Sequence, residues 1–400
     1  MARTRTRRLR SASGLTAVTC VAALSAVTTP AHAAPEGRIR GAGLPGAVGG
    51  SYVVTLRQGT PALSAAGKSL AARYGVEISH TYGTVLNGWA VRADARQARR
   101  LAADPRVASV AQDTRVTLED TQKNPPSWGL DRVDQANLPL DKSYRWPRSA
   151  GAGVTVYVID TGVRVSHRDF GGRAAYGWDF VDGDRTAGDG NGHGTHVAGT
   201  IAGTRYGIAK KAQVVSVRVL DDSGGGSTAD VIAGIDWVTR HAKRPAVANV
   251  SLGGPRNSQL DAAVRDSVAS GVTYTVAAGN AGRPAALYSP AGVSQAITVG
   301  ATDRTDRRAG FSNHGPALDL FAPGVSITSA SHASDTAKAT YSGTSMASPH
   351  VAGAAALYLA GHREATPAQV SKALVARAAS GRVSGRGAGS PDELLRVPRP

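Results

Sequence analysis

Cysteine is almost absent. The only one in 400 residues is Cys20, inside an N-terminal apolar stretch. A disulfide framework is excluded, so a large core or a bound metal must supply the stability that small secreted domains draw from disulfides. Aromatic residues are also scarce, at 5%. Beyond residue 120 no run of Lys and Arg with interleaved aromatics occurs, so nucleic-acid binding has little support. Long hydrophobic runs are missing too. Leu15 to Val27 is too short to span a bilayer. It follows Arg3, Arg5, Arg7, Arg8 and Arg10 and precedes Ala31-His32-Ala33. That order predicts a secretory signal over 1–34, hence a secreted, extracellular protein with no membrane partner.

Acidic residues are outnumbered: 46 Lys and Arg stand against 29 Asp and Glu, a net of +17. The first 120 residues hold 16 of the basic and 7 of the acidic groups. About half of the surplus therefore sits on the N-terminal third. The remainder fits solubility or weak attraction to anionic surfaces. What is abundant is apolar content, 42%, and glycine, 48 residues. Together they predict a compact, turn-rich α/β protein, and the length predicts at least two folded units.

Residues 35–50, rich in Gly, Ala and Pro, predict a flexible spacer. Residues 51–120 follow a β-α-β-β-α-β order, which predicts a small ferredoxin-like α+β domain. Its strands are expected at Ser51–Leu56, Trp89–Val91 and Arg106–Val110, and its helices at Ala62–Tyr74 and Ala95–Ala103. Pro125-Pro126 marks a boundary near the start of a second domain over 121–400. There, Val-rich runs at Val154–Ile159, Val214–Leu220, Ala246–Leu252 and Tyr274–Ala278 have strand length. Near-continuous apolar runs suit a mostly parallel sheet buried on both faces. Helices are expected at Thr228–His241, Gln259–Ser270, His196–Gly203 and Met346–Leu359, and Thr366-Pro367 starts another. Ligands of such a sheet bind outside the C-terminal ends of its strands, and Asp160 sits at one.

Three glycine-rich segments carry reactive groups: Val158-Ile159-Asp160-Thr161-Gly162, Asn191-Gly192-His193-Gly194-Thr195-His196 and Ser342-Gly343-Thr344-Ser345-Met346-Ala347-Ser348-Pro349-His350. Each residue has an ordinary reading by itself. Ser345 could cap a helix, His193 could be a packing residue and Asp160 a turn residue. Together, in the order Asp, His, Ser, they are the parts of an acyl-transfer triad. Two histidines spaced as His193-x-x-His196 lack the i,i+4 spacing and glutamate of a zinc helix. His196 is therefore read as structural.

These segments resemble the subtilisin-like serine peptidases, and most closely the proteinase K branch. The resemblance covers nearly everything after residue 50 and implies a doubly covered, mostly parallel α/β sheet preceded by an inhibitory propeptide. Asp160, His193 and Ser345 would be catalytic. Asn280 in Ala277-Ala278-Gly279-Asn280 would form the oxyanion hole with the Ser345 backbone N–H. Ser251, Leu252, Gly253 and Gly254, with Ala277, Ala278 and Gly279, would wall a roomy uncharged pocket. Gly224, Gly225 and Gly226 would pair with the substrate backbone as an added strand. Structural calcium would bind Ser294, Ala296 and Asp319, with no cofactor needed for catalysis. A second candidate is the loop of Asp179, Asp182, Asp184 and Asp189, against the alternative of a solvated turn. Val197 stands where proteinase K has a free cysteine, and Thr228 replaces a tyrosine at a distal substrate pocket.

The resemblance implies a monomeric endopeptidase of broad specificity, acting on proteins and peptides and inhibited and assisted in folding by its own propeptide. Self-cleavage is expected between Thr117 and Lys123, after Leu118 or near Asp120-Thr121. Two rival readings remain: a catalytically silent binding protein on the same fold, and an anionic-surface binder, which would require a clustered basic face.

Overall fold

The structure, a computed structural model, describes residues 35–43, 47–114 and 120–397. The predicted signal over 1–34 and Thr117–Glu119 of the cleavage window lie outside the described residues. Contacts divide the chain into two units, Met1–Val116 and Thr117–Pro400.

The first unit contains β1 (Ile39–Arg40), β2 (Ala47–Leu56), α1 (Ala65–Arg73), β3 (Glu77–Tyr82), β4 (Gly88–Arg92), α2 (Ala95–Ala102) and β5 (Val107–Thr114). The sheet order is β1-β5-β2-β4-β3. In β2, Tyr52, Val54 and Leu56 are buried and the residues between them are half-buried. This period of two turns one face onto Leu70, Trp89 and Leu101. A capping box between Asp94 and Gln97 starts α2.

The flexible spacer expected over 35–50 needs correction. Ile39 and Arg40 pair in parallel with Val110 and Ala111 of β5, and β2 already begins at Ala47. Gly37 N–H also donates to the Arg99 carbonyl, and Glu36 pairs with Arg99 at 2.7 Å. The open edge of β5 orders a segment whose composition alone favours coil.

The second unit opens with β6 (Asp120–Lys123), α3 (Trp128–Val133) and β7 (Ser143–Trp146). Then come β8 (Thr155–Asp160), β9 (Ala174–Asp179), α4 (His193–Ala202), β10 (Gln213–Arg218) and α5 (Thr228–His241). These lead to β11 (Ala246–Val250), β12 (Gly254–Pro255), α6 (Ser258–Ala269), β13 (Thr273–Ala277), β14 (Tyr288–Ser289) and β15 (Ile297–Thr302). The chain continues through β16 (Leu320–Pro323), β17 (Ile327–Ala330), β18 (Lys338–Tyr341), α7 (Thr344–Gly361) and α8 (Pro367–Arg377). Seven strands form one parallel sheet in the order β16-β15-β13-β11-β8-β10-β9.

Every residue of β8 is buried. Alternation still sorts its side chains: Val156 and Val158 enter one core with Ile201 and Val351, whereas Tyr157 and Ile159 enter another with Ile235 and Val264. Helices α4 and α7 cover the first face, and α5 and α6 the second. Strand β8 lies between β10 and β11, so the chain winds away from it in both directions. A crevice opens at such a switch, outside the C-terminal strand ends.

Helix α7 is buried almost throughout and apolar on every side, as a central helix must be. Its small residues allow close packing: a Cβ on Gly353 would lie 2.5 Å from Ile208 Cβ. A buried ion pair fastens α3 to the loop after β15. Arg132, fully buried, bonds both carboxylate oxygens of Asp306 at 2.7 and 2.9 Å and the Gln135 carbonyl at 2.8 Å. Removing one partner strands a buried charge. Arg132→Ala should therefore cost about 3–5 kcal/mol. Arg132→Met with Asp306→Asn, which leaves no net charge behind, should cost clearly less. The check is the urea midpoint of each variant in a Ser345→Ala background.

Candidate active site

Asp160 ends β8 and is fully buried. Its Oδ1 accepts from His193 Nδ1 at 2.7 Å and from the Thr161 N–H at 2.8 Å. Its Oδ2 is buried and has no partner among the described residues. A carboxylate only accepts, so Nδ1 carries the proton and Nε2 is the basic nitrogen of neutral His193.

His193 is the first residue of α4, and an aspartate knot fixes that helix start. Asp189 Oδ1 accepts from Thr161 Oγ1 and from the N–H groups of Asn191 and Gly192 at 2.7–3.0 Å. Its Oδ2 accepts from the Thr195 N–H at 2.9 Å and from the Thr195 hydroxyl. Gly192 caps the helix at φ 107°, and a Cβ there would run into the His332 ring. Glycine is required on both counts. Burial lowers the His193 pKa. The Asp160 charge, its hydrogen bond and the Asp189 charge outweigh burial, so the imidazole sits above its usual value.

Ser345 is the second residue of α7. Gly343 precedes the helix without a side-chain cap; the Thr344 N–H donates to Asn280 Oδ1 and the Met346 N–H to the Gly343 carbonyl, which leaves the Ser345 N–H as the first-turn donor that can meet an anion. Pro349 lies further inside α7 than a helix start. Its missing N–H would have served the Ser345 carbonyl. Ser251 Oγ donates to that carbonyl instead, at 2.9 Å. In return, Ser345 Oγ donates to the Ser251 carbonyl at 2.9 Å, not to His193.

Asn280 is held by its oxygen. Its Oδ1 accepts from the Thr344 N–H and hydroxyl, both at 2.9 Å, which leaves Nδ2 free to turn outward. A Cβ on Gly343 would lie 3.5 Å from Asn280 Nδ2 and 3.6 Å from Ser345 N. Two donors thus border one small space.

His193, Asn280, Ser345, Gly224–Gly226 and Ser251–Gly254 line one cleft of about 900 Å³. Leu252–Gly254, Ala277–Gly279, Asn280 and Ser345 also line an adjoining pocket of about 180 Å³ with no charged lining. The Gly224–Gly226 edge is a turn held by Asp221, whose Oδ1 accepts from the Ser223 and Gly225 N–H groups at 2.9 and 3.0 Å. His196 is buried, with Nε2 2.9 Å from the Ile327 carbonyl and a pKa pushed down to about 4 by burial. It acts as a neutral packing group.

Three residues of this arrangement were not singled out as site residues from the sequence: Thr161, Thr344 and Asp189. Asp189 was assigned to an acidic loop open to calcium. That loop is corrected by the structure, because Arg218 fills it, pairing with Asp179 at 2.7 Å and Asp182 at 2.6 Å. Asp189 is spent on the α4 knot.

Asp319 fits a cation better. It is half-buried, has no ion pair among the described residues and accepts from the Thr298 N–H at 2.8 Å. Burial pushes its pKa up to about 6, so the charged form lacks compensation. Its carboxylate is the kind of hard oxygen donor that calcium takes. A second group, Asp131, Asp134 and Asp141, was missed. Their oxygens lie within 4.8 Å of one another, and Asp131 is pushed up by burial and by Asp141. The Asp131-x-x-Asp134 spacing was the available signal.

Comparison with known proteins gives two family matches. Residues 151–392 match the subtilase family of peptidases, and residues 51–119 match peptidase inhibitor I9. An extracellular serine proteinase of a Thermus species is 48% identical over 92% of this chain and 94% of that protein. Alkaline serine exoprotease A of Vibrio alginolyticus is 48% identical over 80% of this chain, which spans 60% of that protein. A crystal structure of a cold adapted subtilisin-like serine proteinase superposes with a TM-score of 0.66 at 51% identity, covering 68% of this chain and 98% of the other.

The electrostatics of His193 predict a titration result. Its NMR-detected pKa should lie above 6.5 in the native protein. In Asp160→Asn, where burial acts with less opposition, it should fall. An unchanged value would remove Asp160 as the orienting charge.

Proposed function

The chain belongs to the subtilase family of serine peptidases, and on that premise we propose that it is a secreted endopeptidase working through Asp160, His193 and Ser345. The 2.7 Å contact between Asp160 and His193, in the cleft that Ser345 borders, carries this reading. A rotation about the Ser345 Cα–Cβ bond turns Oγ from the Ser251 carbonyl toward His193 Nε2. His193 takes the hydroxyl proton as Oγ attacks the scissile carbonyl carbon. The resulting oxyanion lies between Asn280 Nδ2 and the Ser345 N–H. His193 returns the proton to the leaving amine, and water then cleaves the acyl-enzyme by the reverse route.

The uncharged pocket supports a preference for apolar or aromatic residues before the scissile bond, with otherwise broad tolerance. Every group needed comes from one chain, which supports a monomer. The inhibitor-family match over 51–119 supports residues 51–120 as an inhibitory propeptide that assists folding, and 121–400 as the peptidase. The relative named extracellular supports export, as does the leader pattern. Among the described residues no helix is long and apolar enough to cross a membrane.

Processing is expected at Thr117–Lys123. Thr121 and Gln122 are paired with Arg145 and Tyr144 of β7, and Gln122 reaches the Arg205 carbonyl beyond the end of α4. His193 begins that helix, about 15 Å away. The strand must leave β7 to be cut. Ser345→Ala should accumulate as an unprocessed precursor, and its peptidase activity should fall by about 10⁴-fold or more. Intact mass and a peptide assay beside wild type read both. Efficient processing of the pure variant would contradict the reading.

Calcium would serve stability, not chemistry, held at Asp319 with Ser294 and Ala296 or at the Asp131 group. Calcium at a hundredfold excess over its Kd should add about 2.7 kcal/mol by mass action. Thermal inactivation should slow accordingly, and Asp319→Asn should lose part of that response. In chelator, the variant should be no less stable than wild type, since it removes an uncompensated buried charge. Equal wild-type half-lives in calcium and chelator would remove the metal.

A further inference from the structure

In a parallel sheet the loops before the strands lie at the edge opposite the loops after them. The catalytic residues occupy the C-terminal edge. At the other edge, exposed Arg148 precedes β8, Lys211 precedes β10, and Lys243 and Arg244 precede β11. Helix α7 starts at the catalytic edge and runs 18 residues, about 27 Å, delivering exposed Arg363 to the same side. These loops touch one another. Lys211 N–H donates to the Ala150 carbonyl at 2.7 Å, and Thr155 N–H to the Pro245 carbonyl at 3.3 Å. A Cβ on Gly153 would lie 2.7 Å from Arg363 Nη1, and one on Gly271 3.2 Å from Arg244 Cζ.

Five cations therefore share one face. None of them has an ion pair among the described residues. Arg244 and Arg363 line a common cavity of about 410 Å³. Glu364 lines it too, and Asp266 lies in the last turn of α6; neither reaches ion-pair distance of the arginines. Like charges left unpaired around a cavity are a standing cost in self-repulsion, which a bound anion relieves.

We propose that this face binds a linear phosphate-bearing polyanion, with Arg244 and Arg363 gripping one phosphate in the cavity and Arg148, Lys211 and Lys243 following the chain on either side. Guanidinium forks match phosphate oxygens in pairs. Spacing over four loops suits a polymer better than a single ion. The cleft, at the far end of α7, stays open, so the bound enzyme remains able to cut. The clustered basic face required for anionic-surface binding is present, alongside the peptidase site rather than in place of it.

The test uses the processed enzyme, inhibited at Ser345, and inorganic polyphosphate as the probe. Wild type should bind it with an affinity that falls steeply as salt rises. Arg244→Ala with Arg363→Ala should weaken binding about tenfold or more. Arg304→Ala with Arg382→Ala, two exposed arginines elsewhere, removes the same charge and should change it little. Polyphosphate should also protect Arg244 and Arg363 of the wild type from phenylglyoxal, mapped by peptide mass, which needs no variant. Equal losses in both double variants, no protection, or equal binding of polyglutamate would overturn the proposal. Turnover of a short uncharged peptide by the uninhibited enzyme should be unchanged in both double variants. That readout keeps the outcome separate from the triad.

Discussion

Everything in the catalytic unit converges on one hydrogen bond, from His193 Nδ1 to Asp160 Oδ1. It is short, it ends in a carboxylate wholly removed from water, and the second carboxylate oxygen has no partner among the described residues. A buried charge of this kind persists only where its surroundings are rigid. Strand β8 supplies the rigidity below it, buried between two cores. Asp189 supplies it from the side, spending both oxygens on the turn that starts α4. The imidazole is thus held by the fold before any substrate arrives, which is how electrostatic preorganisation lowers a barrier.

The serine is held by a different device. Its helix contains Pro349, which deprives the Ser345 carbonyl of a helical partner, and Ser251 fills the gap. Ser251 is tied in turn to Asn249, whose amide oxygen accepts from Ser348 and Thr275. This buried polar network joins α7 to β11 and β13 and has its bonds satisfied, the condition under which such networks specify one geometry. Asn280 follows the same logic: two bonds to its oxygen leave its nitrogen as the outward donor.

The sequence made the regular elements legible because their signals are local. Helix α5 runs from Thr228 to His241 as its pattern predicts, and β8, β11 and β13 fall on their Val-rich runs within a residue or two. Candidate site residues were legible through motif strings with glycine at fixed offsets. What escaped depends on partners distant in sequence. Ile39 becomes a strand because β5 has an open edge, and the acidic loop closes on Arg218, 39 residues from Asp179. The roles of Thr344 and Asp189 appear only when α7 and α4 are brought beside Asn280 and Thr161. Asp131, Asp134 and Asp141 are near in sequence, yet Asp141 reaches the group only through the turn between α3 and β7.

The central claim is that His193, oriented by Asp160, makes Ser345 the nucleophile. The most direct measurement is the rate and position of labelling by a fluorophosphonate, mapped by peptide mass. The account predicts a single adduct, on Ser345, and a loss of labelling by orders of magnitude in a folded His193→Ala variant. An adduct on another residue, or an undiminished rate without His193, would contradict it.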